Sequence, residues 1–233
     1  MIYCYLGLGI LVLISFFAVL VSRIFFGSTI AKRVHERVLG KGLIDWMSAL
    51  GFWSLEIVGE MPYNYRSKSY VFVANHSSWL DSAVMACIPA TKKYLTNAKY
   101  FAYPVFGWTQ LLAEDIPVNL SSKANRERSM QLCVQALKDG QSIVIYPEGT
   151  RESEPPKLLP FKSGAFRIAE AAKAEVLPLY FENSHVAFSR SGWIGTAKLR
   201  VIIGKPLFVE NPADTSERVK LFFEECRSKM KTD

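Results

Sequence analysis

The chain has 233 residues, half of them apolar, with 28 basic and 21 acidic side chains and a net charge of +7. That length holds one domain of ordinary size plus a small extra element, and the apolar content suits a globular domain carrying one membrane segment. The four cysteines, Cys4, Cys87, Cys133 and Cys226, form no CxxC pair and adjoin no histidine cluster, so a structural zinc site is not expected and reduced, buried thiols are.

Residues 2–22 carry no charge, and Arg23 closes the run. About 20 apolar residues are enough to cross the hydrocarbon core of a bilayer. The start is neutral and bulky Ile24-Phe25-Phe26 follow Arg23, which favours an uncleaved anchor over a signal peptide. Arg23, Lys32, Arg33 and Arg37 lie beyond the run, and no Lys or Arg precedes it. The positive-inside tendency therefore places the rest of the chain on the cytoplasmic side. Residues 43–55 admit two readings. They form the second, interfacial half of a helical hairpin, with Trp46 and Trp53 at headgroup level, or a helix packed on the core.

After about residue 57, strand-like and helix-like stretches alternate. Residues 69–74 read as a buried strand and 77–88 as a helix, with Ser77 or Ser78 as N-cap. Short strands are expected at 92–95 and 116–118. Met130, Cys133, Val134 and Leu137 set a helical period over 122–139, and Gly140 stops it. A strand over 142–146 follows, then a helical face of Phe161, Ala165, Ile168, Ala169 and Ala172. Strands at 176–181 and 197–204 precede a last amphipathic helix with Val219, Phe222, Phe223, Cys226 and Met230 inward. This order predicts an α/β domain: a mixed, largely parallel sheet flanked by helices, with an N-terminal membrane-anchoring helical segment.

Two polar clusters sit at the ends of apolar strands. In residues 71–81 a strand ends, His76 appears, and Asp81 follows five positions later. Inside one regular helix that spacing puts the side chains about 140° apart. With His76 in the strand-to-helix turn, Asp81 can reach back to one imidazole nitrogen, fix the tautomer and leave the other nitrogen as a base. Backbone N–H groups just after His76 are candidates to hold an oxyanion. Taken alone, a His near an Asp is more often a satisfied structural pair. The second cluster, residues 143–153, runs from a strand into Pro147-Glu148-Gly149-Thr150-Arg151. Gly149 permits a tight or left-handed turn. Thr150 and Arg151 can donate hydrogen bonds, Arg151 can grip a phosphate in bidentate fashion, and Glu148 can organise the turn or position a hydroxyl.

These blocks resemble the glycerophospholipid acyltransferase family, the group that contains 1-acylglycerol-3-phosphate acyltransferases. Asn75 to Asp81 match its NHxSxxD block, the His-x4-Asp motif. Tyr146 to Arg151 match its F/Y-P-E-G-T-R block, and Val176-Leu177-Pro178-Leu179 a later short block. Lys99 matches a basic position between the first two blocks, and Phe161 to Ala165 the stretch after the Tyr146–Arg151 block. The likeness covers roughly residues 55–210. One departure is plain: Asn119-Leu120 follow the strand at 116–118, where the family usually has Asp-Arg. Lys123, Arg126 and Arg128 either replace that Arg or are solvated helix charges.

The resemblance implies direct transfer of a fatty acyl group from acyl-CoA or acyl-ACP to the free hydroxyl of a lysophospholipid, 1-acylglycerol-3-phosphate first among them. Another lysolipid or glycerol 3-phosphate is the alternative acceptor. His76 would be the base and Asp81 its partner. Glu148, Gly149, Thr150, Arg151 and Lys99 would bind substrate. No metal or redox cofactor is implied, and phospholipid membrane is the expected partner. Residues 1–56 would be the anchor and 57–233 the catalytic acyltransferase domain. A membrane-bound lipid hydrolase with Ser77, Ser78 or Ser82 as nucleophile is a competing reading, although the chain has no G-x-S-x-G elbow. A non-catalytic lipid-binding protein is another. Nucleic-acid binding is not expected, because the basic residues are scattered.

Overall fold

A computed structural model of the chain describes residues 2–151, 157–189, 191–192 and 194–230. The uncharged run forms α1 (Ile2–Phe26), which ends where Gly27 adopts φ 83°. The chain then doubles back through α2 (Ser28–His35), a π-helical turn (Glu36–Lys41) and α3 (Gly42–Ala49). Together these make a helical hairpin whose arms pack on each other. On α1, Leu6, Ile10, Leu13, Phe17, Val21 and Ile24 recur at steps of three or four and are at least half exposed. Ser15, Val19 and Ser22 face the protein instead. Residues Tyr5–Phe26 are long and apolar enough to cross a membrane.

The second arm corrects one sequence reading. Ile44 and Met47 are buried in the core, and the stretch 43–55 splits into α3 and an edge strand, β1 (Trp53–Val58). Trp53 is buried and its indole N–H donates to the Gly195 carbonyl at 2.9 Å, so it is not free to sit among headgroups. The packed reading holds for it. A boundary between residues 56 and 57 falls inside β1. The basic residues behind the orientation argument are also partly engaged. Lys32 is buried against Asp115 at 2.6 Å, and Arg23 pairs with Glu114 at 2.8 Å.

The remaining elements follow in order: β2 (Tyr70–Ala74), α4 (Asp81–Ala86), β3 (Lys92–Asn97), a 3-10 turn (Ala98–Ala102), α5 (Phe106–Leu112), β4 (Ile116–Val118), α6 (Lys123–Lys138), β5 (Ser142–Ile145), α7 (Gly164–Ala172), β6 (Glu175–Glu182), α8 (Ser184–Ala187), β7 (Ala197–Ile203) and α9 (Pro212–Met230). The sheet order is β1-β7-β6-β2-β5-β3-β4, and only the β6–β7 pair is antiparallel. Central β2 alternates: Tyr70, Phe72 and Ala74 face a core layer shared with α3 and α4, while Val71 and Val73 face one shared with α6, α7 and α9. Strands covered on both faces read as continuous apolar runs, which is why these were visible in the sequence. Phe161 lies ahead of α7, although it packs on the same layer. The side chains of Cys4 and Met230, and all of Glu152 and Ser153, lie outside the described residues.

Candidate active site

Strand β2 points its C-terminal end at a six-residue loop, 75–80, and α4 begins only at Asp81. Ser77 and Ser78 therefore do not cap the helix; Leu80 holds the N-cap position without a side-chain bond. The capping logic is reversed. The Asp81 carboxylate accepts from the backbone N–H of Ser77 at 2.8 Å and of Ser78 at 2.9 Å, pinning the loop from the helix side. These amides are thereby used, which overturns their expected role toward an oxyanion.

Asp81 Oδ2 also lies 2.7 Å from His76 Nδ1, and Asp81 Oδ1 accepts from the Ser184 hydroxyl at 2.5 Å. The carboxylate is fully buried. A buried charge is tolerable only when hydrogen bonds replace its water, and four donors do so here. With Nδ1 committed to Asp81, Nε2 is the ring nitrogen left for chemistry. It has no hydrogen-bond partner among the described residues, and the ring lines a cavity of about 1480 Å³. The imidazole is 13% exposed and stacks on Tyr146, with centroids 4.0 Å apart and planes 11° apart. Burial and the nearby Asp81 charge push the Tyr146 phenol above its ordinary range, so the ring beneath His76 is neutral.

The second cluster lies one strand over, at the end of β5. Gly149 has φ 70°, and a Cβ there would collide with the Lys162 ammonium. Glu148 is buried. Its Oε1 accepts from His76 N at 2.9 Å and its Oε2 from Leu159 N at 3.1 Å. Glu148 does not line the cavity, whereas Lys99, Gly149, Thr150 and Arg151 do. Of the two roles the sequence allowed, the geometry gives it the turn-organising one: it ties the His76 loop to the Gly149 turn. Arg151 stacks 4.0 Å over Trp79 and donates to the Tyr100 hydroxyl at 2.8 Å, while Lys99 lies 5.0 Å over the Tyr100 ring. Both cations are thus held on an aromatic shelf that borders the same cavity as His76.

A model of the Acyltransferase family matches residues 57–182, more than half of the chain.

The chain belongs to this family.

Among its relatives, a chloroplastic 1-acyl-sn-glycerol-3-phosphate acyltransferase from Brassica napus is 27% identical over 79% of this chain and 52% of its own length. The Saccharomyces cerevisiae 1-acyl-sn-glycerol-3-phosphate acyltransferase is 27% identical over 81% of this chain and 65% of its own. The chain spans about half the length of several curated relatives it matches. In fold it is similar to the 1-acyl-sn-glycerophosphate acyltransferase PlsC of Thermotoga maritima. The TM-score is 0.69 at 20% identity, covering 98% of this chain and 99% of that one.

Several contributors escaped the sequence reading of this acyltransferase fold. Ser184, which completes the Asp81 cage, comes from beyond β6, 103 positions away. The motif alone gives Asn75 no role, yet its side-chain amide donates to Phe181 O at 2.9 Å and accepts from Phe181 N at 2.7 Å, locking the loop onto β6. Its place beside His76 was a signal. Ser184 had none.

Proposed function

We propose that the chain is a membrane-associated O-acyltransferase that moves a fatty acyl group from a thioester carrier to the free hydroxyl of a lysophospholipid, with 1-acylglycerol-3-phosphate as the leading acceptor. The observation that carries the reading is His76: Nδ1 fixed by a buried carboxylate, Nε2 open to a large cavity, and two cations on the bordering shelf. Nε2 takes the hydroxyl proton as the oxygen attacks the thioester carbonyl. Asp81 holds the tautomer and stabilises the imidazolium that results. The thiol of the carrier leaves with the proton returned by His76, so the product is an ester and a free thiol. Arg151 and Lys99 hold the acceptor phosphate.

Direct transfer is favoured over an acyl-enzyme. The Ser77 hydroxyl is 3.0 Å from that of Ser184, and the Ser78 hydroxyl donates to Phe188 O at 2.6 Å. Neither bonds to Nε2, as a serine nucleophile activated by that base would. The apolar stripe of α1 supports membrane attachment, since an exposed apolar face of this length is unfavourable in water. Attachment keeps the cavity where lysolipid and acyl chains are concentrated. Placement of the domain on the cytoplasmic side stays part of this proposal.

The test is acyl transfer by the purified chain in liposomes, with one labelled acyl thioester and a panel of lysolipids. A labelled diacyl product with lysophosphatidic acid is expected, and about 10²–10⁴-fold slower formation with His76→Ala. Thioester hydrolysis that ignores the acceptor would reject the transferase reading.

A further inference from the structure

One face of the His76 imidazole lies flat on the Tyr146 ring, with centroids 4.0 Å apart and planes 11° apart. Other bonds hold both rings in this register. His76 is fixed by Asp81 at Nδ1 and by Glu148 at its backbone N–H. Tyr146 directly follows β5, its carbonyl accepts from Gly149 N at 3.0 Å, and its side chain packs on the core layer of α3 and α4. The overlap is closer than neutral aromatic pairs favour. Two ring faces of like charge repel, so such pairs settle offset or edge-on at about 4.5–7 Å. The same overlap suits a cation, which the negative face of a phenol attracts within about 6 Å of its centroid.

We propose that Tyr146 is a positioning residue for acyl transfer: it presents its ring face to His76 and stabilises the imidazolium that forms there during the reaction. The inference rests on the O-acyltransferase reading with His76 as base. Before the hydroxyl proton moves, the imidazole is neutral and gains little from the ring below it. As the acceptor oxygen attacks the thioester carbonyl, Nε2 takes the proton, the imidazole becomes a cation and the contact strengthens. When His76 returns the proton to the departing thiolate, the contact weakens again. A contact that strengthens only in the transition state raises kcat and leaves KM alone. Asp81 acts in the plane of the imidazole and Tyr146 on its face, so the two supports do not compete. Because the phenol stays protonated, its ring acts through its face and not through a charge of its own. The other charged or titratable groups around the imidazole are Asp81 on α4, Glu148 in the turn after β5, Arg151 and Lys99 on the shelf, and His185 on α8, which feels the Asp81 charge. A change confined to the electrons of ring 146 leaves all of them in place.

The experiment replaces Tyr146 in the full chain by phenylalanine, by leucine, and by phenylalanines carrying progressively more ring fluorines. The fluorinated rings keep the shape of phenylalanine while the negative charge of the face is drained and then reversed. For each variant kcat and both KM values are measured in liposomes with an acyl thioester and lysophosphatidic acid. The pH at which the His76 imidazole takes up its proton is read from its NMR resonances in detergent micelles. Tyr146→Phe is expected to keep kcat within about threefold, since its ring offers a similar face. Fluorination should lower kcat step by step, to about tenfold below phenylalanine at the fully fluorinated ring, with each KM within about twofold. The protonation midpoint should fall alongside, by about one pH unit at the end of the series. Tyr146→Leu should resemble the fully fluorinated variant. In a wild type that transfers, a kcat that stays flat across the fluorinated series overturns the proposal and makes Tyr146 a spacer, even if leucine is harmful. A rise in KM without a fall in kcat also overturns it, because the ring would then be touching substrate. The NMR arm separates the two readings. If fluorination lowers the midpoint while the wild type transfers no acyl group, the support of the imidazolium stands and the transferase reading falls. If the wild type transfers and neither kcat nor the midpoint responds, the reverse holds.

Discussion

Two of the places where this molecule buries a carboxylate beside a basic side chain are built for opposite ends. Under the hairpin, Lys32 meets Asp115 at 2.6 Å and Lys92 meets Glu36 at 3.2 Å, with Lys32 also lying 4.5 Å over the Tyr94 ring and Asp115 accepting from Tyr94 N at 2.9 Å. At the strand ends, Asp81 meets His76. In the first place Lys32, Lys92 and Asp115 are sealed and satisfied, and the pairs tie α2 and the π turn to β3 and the loop before β4. In the second place the buried carboxylate is saturated, but its partner keeps one nitrogen open to a cavity. Burying charge is thus a joint in one case and a poised base in the other. What distinguishes them is which atom is left unused.

Substitutions should therefore sort by place, with activity lost at the strand ends and folding lost under the hairpin. The largest separation is expected for His76→Ala. Acyl transfer should fall by about 10²–10⁴-fold, the typical contribution of a placed base, while the lost donor to buried Asp81 costs only about 1–3 kcal/mol of stability and the chain stays folded. A melting temperature that collapsed along with the activity would make His76 a structural residue and end the contrast.

Asp115→Ala should do the reverse. It strands Lys32 without its carboxylate and removes the acceptor for Tyr94 N. Breaking a buried pair in this way costs about 3–5 kcal/mol, so chemical denaturation should show a large loss of stability. Activity per folded molecule should change little. A marked drop in kcat at full folding would mean that the joint reaches into the chemistry.

Ser184→Ala tests the border between the two behaviours. It removes the Asp81 Oδ1 donor at 2.5 Å and leaves the His76 contact in place. An unmet buried acceptor costs about 1–3 kcal/mol, so a moderate loss of stability is expected. A roughly tenfold drop in kcat should accompany it through the looser imidazole. An effect on stability alone would show that the cage holds Asp81 without tuning the base.

How far the sequence discloses this arrangement depends on the distance between partners. The strands of the sheet's interior are legible because both faces are covered and the residues read as apolar runs. β1 is not. Its Ser54, Glu56 and Ile57 are exposed at the sheet edge, so it lacks that signature. The His76–Asp81 pair is legible because five positions separate it. Its mode of support is not, since the Asp81 cage uses Ser184 and the Glu148 carboxylate reaches back 72 positions to His76 N. The loop amides mislead for the same reason: the sequence shows two N–H groups after His76 but not that Asp81 already occupies them. The joint under the hairpin gave no local sign at all, because Lys32 and Asp115 lie 83 positions apart.

His35 yields the smallest effect and the finest comparison. It lines the joint's end of the cavity, 3.3 Å from the Ser15 hydroxyl, and burial together with the nearby Lys32 charge lowers its pKa from 6.5 to about 3. The folded imidazole is therefore neutral at pH 5, whereas the unfolded one takes up a proton there. Between pH 6.5 and about 3 the unfolded state binds more protons, so this residue's contribution is full above 6.5 and falls as the pH drops, by at most about 1.4 kcal/mol per unit. Glu36 works in the opposite sense, because burial raises its carboxyl and the folded state then takes up the proton first. The difference between wild type and His35→Gln isolates the histidine. Melting curves from pH 7 to 5 should converge as the pH falls, with the wild type losing more. A constant gap would mean that water or motion reaches His35 and that the joint is less tightly sealed than its lysine pairs, whereas convergence would place a neutral imidazole beside the ion pairs and a poised one at the strand ends of the same cavity.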